Sequence, residues 1–256
     1  MKKIDRRIHY LVGIDTETCN TQEVNGKFDF SRSLVYDVGW VVTDKRGRIY
    51  KEHSFIVAEI FYGRKDLMKS CYYKEKISLY EKDIKEGKRI VKSFFEIWNL
   101  FKKEVALYKI DTIFAHNSFF DYTVLNNTLS YVYQTKKYFT SYNMIWWDTV
   151  RMAQNAVGIQ KTYQRFCEKY GYLTNQSIPK PRFTAEILYR YITKNNDFIE
   201  NHTGLEDIKI EVVILAYCFR QKKKMRKELF NRQYEQLHIY FHSPPLPYIS
   251  KQKCLL

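Results

Sequence analysis

The chain has 256 residues, enough for one well-filled domain with additions. Its 45% hydrophobic content excludes wholesale disorder, and its formal charge of +15, from 43 Lys and Arg against 28 Asp and Glu, points towards a polyanionic partner or a basic face. Five cysteines with no Cys-x-x-Cys spacing argue against a zinc site or a disulfide framework. Charged residues at 1–7 have no apolar region behind them, and no apolar run nears membrane-spanning length. The chain is therefore expected to be soluble and cytoplasmic, with no membrane partner.

Residues 9–15 form a short apolar run predicted as a buried strand ending at Asp15. Residues 35–43 predict a second strand, and the turn Asp44-Lys45-Arg46-Gly47 leads into a third at 48–57, an antiparallel start. Val91, Phe94, Phe95, Trp98 and Phe101 recur at helical spacing over 91–104. Strands are predicted at 111–115 and 144–148, and helices at 118–133, 150–157, 160–171, 183–193 and from about 204. Strands followed by alternating strand and helix imply an α/β fold with a mixed sheet flanked by helices.

Two segments stand apart as additions. Residues 60–92 carry ten Lys or Arg against five acids, interleaved with tyrosines. Residues 220–256 open with Lys222, Lys223, Lys224, Arg226 and Lys227 and end in a proline-broken stretch at 243–247. Neither is large enough to bury a core of its own.

Four carboxylates and a histidine stand in three separated motifs. Gly13-Ile14-Asp15-Thr16-Glu17-Thr18 places two acids two residues apart, so the strand period turns both towards one side of the sheet. Alone, Asp-x-Glu also fits a turn cap beside a solvated acid. Ala115-His116-Asn117-Ser118-Phe119-Phe120-Asp121 opens the helix after a strand, with Asp121 in its first turn; Ser118 and Asp121 also fit a plain N-terminal cap. Phe119 and Phe120 fit the core better than base stacking.

His202-Thr203-Gly204-Leu205-Glu206-Asp207 is the third motif. Five residues along a helix is an offset of about 140°, so His202 and Asp207 cannot share a face if both are helical. Thr203 and Glu206 instead read as a capping box. That puts His202 before the cap and Asp207 at the fourth helical position, two places that approach each other. Gly204 is expected to leave room beside the histidine. Together the motifs offer hard oxygen ligands for two magnesium-sized cations plus a base, the needs of a two-metal phosphodiesterase.

These motifs, in this order, resemble those of the DEDDh 3′–5′ exonucleases of the DnaQ-like group in the ribonuclease H-like superfamily. Leu125 and the Ile-Lys-Ile-Glu following Asp207 extend the match, which spans roughly residues 9–219. Cys19-Asn20 departs from the usual Thr-Gly turn. The resemblance implies a mixed five-stranded sheet with an antiparallel first three strands. It also implies an exonuclease domain at 1–219 with a basic, Tyr-rich insertion near 60–92, and residues 220–256 as an extension.

By the same resemblance Asp15 bridges two Mg²⁺ or Mn²⁺ ions, Glu17 and Asp207 complete one site and Asp121 helps hold the other. His202 is the expected general base on the attacking water. Thr16, Thr18 and Asn117 are expected near the terminal nucleotide, while Asp148 caps a helix and Trp146 and Trp147 belong to the core. The implied reaction releases nucleoside 5′-monophosphates from single-stranded or frayed DNA 3′ ends, with any proofreading done in trans beside a polymerase. RNA trimming and a polymerase-associated binding module are the alternatives.

Overall fold

A computed structural model describes residues 4–20, 22–24, 27–71, 73–135 and 137–230. The chain begins with strand β1 (Leu11–Cys19), a small hairpin of β2 (Gln22–Val24) and β3 (Lys27–Asp29), and the long strands β4 (Leu34–Thr43) and β5 (Ile49–Val57). Short helices α1 (Ala58–Phe61), α2 (Lys65–Met68) and α3 (Ile77–Lys85) lead to β6 (Ile90–Lys92) and α4 (Phe94–Tyr108). Then come β7 (Thr112–Ala115), α5 (Phe119–Tyr133), β8 (Ile145–Asp148), α6 (Thr149–Ala156), α7 (Lys161–Tyr170), α8 (Ala185–Thr193) and α9 (Gly204–Arg220).

Six strands form one sheet in the order β6-β5-β4-β1-β7-β8. β1, β4 and β5 are antiparallel neighbours, whereas β6, β7 and β8 join in parallel. β4 is buried along its whole length because helices cover both faces, as its near-continuous apolar run requires. The Asp44–Gly47 turn closes the β4–β5 connection, with Gly47 at φ 81° and its amide donating to the Asp44 carbonyl (2.9 Å).

Alternation along β1 divides the core. Val12 and Ile14 face a layer built from α1 to α5; Leu11 faces a second layer built from α6 to α9. Asp15 and Glu17 share the period of Leu11 and so point to the α9 side.

Three expectations need correction. The sheet has six strands, not five, because Ile90-Val91-Lys92 pairs with β5. Val91 therefore belongs to a strand, and α4 starts after Ser93, whose side chain and that of Glu96 form a capping box. Three residues are too few for their period to separate a strand from the start of the adjoining helix. Finally, β1 does not stop at Asp15 but continues to Cys19, with an irregularity between Glu17 and Thr18. The polar residues Asp15 to Thr18 conceal a strand sustained by backbone pairing to β4.

Residues 60–92 are tied into the core: Phe61, Met68, Cys71 and Tyr80 are buried in it. Cys19, Cys71, Cys167 and Cys218 are buried free thiols. Among the described residues no helix is long and apolar enough to cross a membrane. The proline-broken stretch at 243–247 and Cys254 lie outside the described residues.

Candidate active site

Strand β1 pairs with β7 at Val12–Ile113 and Gly13–Phe114. Beyond these pairs β1 runs on alone on that side, and the gap admits the start of α5. Such a crevice at the carboxyl ends of parallel strands is where open sheets bind ligands. Here Thr16 donates its hydroxyl to Asp121 Oδ1 (2.8 Å), joining the first and second motifs. Ser118 makes no side-chain cap, so Asp121 is turned to the strand and the plain capping alternative fails.

The third motif reaches the same place through two glycines. A Cβ on Gly39 of β4 would lie 2.2 Å from the Leu205 backbone nitrogen, and one on Gly204 would lie 2.6 Å from the Gly39 nitrogen and 2.9 Å from the Asp15 carbonyl oxygen. Gly204 thus makes room for the sheet backbone, not for the histidine. The helix N-terminus can seat directly on β1 and β4 only without those side chains.

The expected capping box is absent. Thr203 is the N-cap residue, but its side chain makes no capping bond, and Glu206 pairs with Lys209 instead. The juxtaposition it implied nevertheless exists. His202 sits in the left-handed region (φ 51°) and its Nδ1 lies 4.0 Å from Asp207 Oδ2 and 3.9 Å from Glu200 Oε2.

Asp15, Glu17 and Asp207 each offer an oxygen within 4.8 Å of the others, and Glu200, His202 and Asp207 form a second such group. The cluster lies in a cleft of about 1310 Å³ whose wall includes Thr16, Thr18, Asn117, His116, Phe30, Phe120, Phe183 and Tyr73. Phe120 thus borders the cleft while packing edge-on to Phe30, so it is not purely a core residue. Asn117 is exposed, in the left-handed region at φ 63°, and its amide donates to Asp148 Oδ1. Asp148 caps α6 by accepting from Val150, and Trp146 and Trp147 are buried, as expected.

The electrostatics are those of crowded acids. Burial, then the charges of Glu211, Asp121, Asp207 and Glu17, holds the Asp15 carboxyl well above the usual range. Glu17 is raised likewise, by burial and then by Asp207. Burial pushes Asp121 and Asp207 up to about 8 and Glu200 to about 7. His202 moves down, through burial and then the nearby Lys76 ammonium, so its imidazole is neutral at pH 7.

Sequence reasoning gave no cleft role to several of these groups, and it met Glu211 only as the end of the Ile-Lys-Ile-Glu match. Glu200 lies in an irregular segment with no period to mark it. Glu211 carried a signal, four residues after Asp207 on one helix face. From the segment between α2 and α3, Tyr73 stacks on His202, and Lys76 lies over the Tyr73 ring (4.9 Å) and donates to the Asn201 carbonyl.

The donor set suits divalent cations. It is hard oxygen with one imidazole, and two buried carboxylate oxygens, Asp207 Oδ1 and Glu211 Oε2, have no hydrogen-bond partner among the described residues. Cations would relieve the mutual repulsion that raises these carboxyls.

No protein-family model and no curated protein matches the sequence. Solved structures do match the fold. The nuclease domain of 3′hExo, a DEDDh family member bound to rAMP, aligns over 88% of this chain and 100% of its own, with TM-score 0.54 and 11% identity. A full-length 3′-exonuclease aligns over 96% and 92% (TM-score 0.51, 12% identity). A 3′-exonuclease recognising the 3′ end of a histone mRNA stem-loop aligns over 90% and 71% (TM-score 0.52, 12% identity). The fold is thus the ribonuclease H-like α/β fold of DEDDh 3′-exonucleases. At these identities the likeness is one of fold.

Proposed function

We propose that this protein is a divalent-cation-dependent 3′–5′ exonuclease releasing nucleoside 5′-monophosphates. The observation that carries this is the convergence of Asp15, Glu17 and Asp207 within 4.8 Å, with His202 at 4.0 Å from Asp207, in a cleft of the 3′-exonuclease fold. Asp15, Glu17 and Asp207 would hold one Mg²⁺ or Mn²⁺ and Asp15 with Asp121 a second. When bound, such ions lower the pKa of water and stabilise the leaving oxygen of a phosphodiester.

The chain's own groups supply the rest. His202, neutral at pH 7, accepts the water's proton on a ring nitrogen. Thr16 holds Asp121 by its hydroxyl, and Thr16, Thr18 and Asn117 stand on the cleft wall where the terminal nucleotide would lie. Phe30 and Phe120 offer aromatic rings to bases. Residues 1–219 would form the exonuclease unit, with the basic insertion and the 220–256 extension gripping the backbone of the substrate in an intracellular setting.

Single-stranded or frayed DNA 3′ ends are the first substrate. RNA is the second, favoured because two proteins of like fold were seen with an mRNA stem-loop and with rAMP. A polymerase partner in trans has no such support.

The deciding experiment incubates labelled DNA and RNA oligonucleotides with Mg²⁺ or Mn²⁺ and identifies the products. Asp15→Ala and Asp207→Ala should abolish mononucleotide release, and His202→Ala should slow it ~10²–10⁴-fold. Undiminished release in excess chelator would refute the cation mechanism. Binding without release from either polymer would leave a nucleic-acid-binding module.

A further inference from the structure

Glu211 stands one turn beyond Asp207 on α9, on the same helix face. It is 2% exposed, lines the cleft, and its Oε2 has no hydrogen-bond partner among the described residues. Among the described residues no Lys, Arg or His forms an ion pair with it. Burial, then the charge of Asp121, holds its carboxyl well above the usual range, so only a positive charge completing its surroundings would keep it ionised near neutral pH.

Its neighbours locate it. Glu211 acts on Asp15 more strongly than any other charged group, ahead of Asp121, Asp207 and Glu17. Of the charges acting on Glu211, Asp121 is the strongest, and the His116 backbone amide is turned towards it and favours its ionised form. Lys76 is held elsewhere, against the Tyr73 ring and the Asn201 carbonyl beside His202. Glu211 thus lies at the end of β7, where the chain passes through His116 into the second motif that carries Asp121.

We propose that Glu211 is a further carboxylate ligand of the divalent cation held between Asp15 and Asp121. The inference rests on the two-cation centre proposed above. It assigns the unpartnered Oε2 a cation as its partner and gives that position three carboxylates instead of two. Hard divalent cations of the Mg²⁺ and Mn²⁺ type prefer such oxygen-rich surroundings.

The test is Mn²⁺ binding to the full chain by calorimetry and by the loss of the free-ion electron spin resonance signal, with no substrate present. Glu211→Gln keeps the shape and an acceptor for the His116 amide but removes the charge. It should weaken one Mn²⁺ site tenfold or more, while Asp15→Asn disrupts both. Unfolding in chelator should show Glu211→Gln at least as stable as the wild type, since a buried unpaired acid is gone. If that variant does not fold, Glu211→Asp, which withdraws the carboxylate by one methylene, should weaken the same site severalfold. Wild-type affinity and stoichiometry in the folded glutamine variant, or in the aspartate variant if the first does not fold, would overturn the assignment and leave the cation centre standing. A wild-type chain that takes up no Mn²⁺ would overturn both.

Discussion

The Tyr73 ring lies flat on the His202 imidazole, with centroids 4.2 Å apart and planes 15° from parallel. Tyr73 comes from the segment between α2 and α3 and His202 from the turn before α9, so a stretch distant in sequence holds the proposed base in place. Such a ring pair contributes about 0.5–1.5 kcal/mol. Tyr73→Ala should therefore lower the single-turnover rate by about 2- to 12-fold at saturating substrate, and Tyr73→Phe should restore it. Rates equal to wild type in the alanine variant would show that His202 needs no such support.

The crowded acids make stability depend on pH in an unusual direction. Asp121 and Asp207 titrate at about 8 in the folded chain and Glu200 at about 7, against about 4 in an unfolded one. Between pH 4 and 8 the folded state thus holds protons that the unfolded state has released, and stability falls as pH rises through that window. His116 and His202, both lowered, act oppositely but are outnumbered by the raised carboxyls. In chelator the melting temperature should drop from pH 5 to pH 8. Saturating Mg²⁺ should oppose the drop, most at pH 8, because its ligands must be deprotonated. A flat profile in chelator would mean that the acids are ionised in the cation-free fold.

Arg89 compensates a buried charge. Its Nη1 lies 3.2 Å from Asp37 Oδ2, a carboxylate with no exposure, and its Nε reaches Asp83 while the guanidinium covers the Tyr80 ring at 4.1 Å. Asp37 faces Glu17 across the β1–β4 pairing. Arg89→Ala strands Asp37 and should destabilise the fold by about 3–5 kcal/mol. Thermal unfolding with Mg²⁺ present should then shift down by roughly 6–20 °C. A shift under 2 °C would mean that Asp37 is neutral in the native state.

The basic run past α9 should govern grip rather than chemistry. α9 ends at Arg220; Lys222, Lys223, Lys224 and Arg226 are exposed beyond it. Lys227 lies over the Trp147 ring and its carbonyl accepts from Asp148, so the run is anchored beside β8. Replacing these four lysines and Arg226 with glutamine should weaken oligonucleotide binding and flatten its salt dependence. Each lost phosphate contact should remove about 0.7–0.9 from the slope. Cleavage at saturating substrate should stay near wild type. An unchanged slope would point to a protein partner for this surface.

The sequence by itself determined the local features. Apolar runs marked the long strands and most helices, because their periods span enough residues to be unambiguous. The three motifs marked Asp15, Glu17, Asp121, His202 and Asp207, because each group sits at a defined offset from a strand or helix start. Only the tertiary structure decided what lies between distant segments. β6 is three residues whose pairing with β5 defines it, and the continuation of β1 through polar residues depends on β4 beside it. Gly39 and Gly204 have meaning only as one close contact, and Glu200, Glu211, Tyr73 and Lys76 reach the cleft through packing. Hydrophobic period and capping act within a few residues of chain. Backbone close approach, ring stacking and the mutual repulsion of buried charges act through space, and they exist only once the sheet and α9 have brought those residues together.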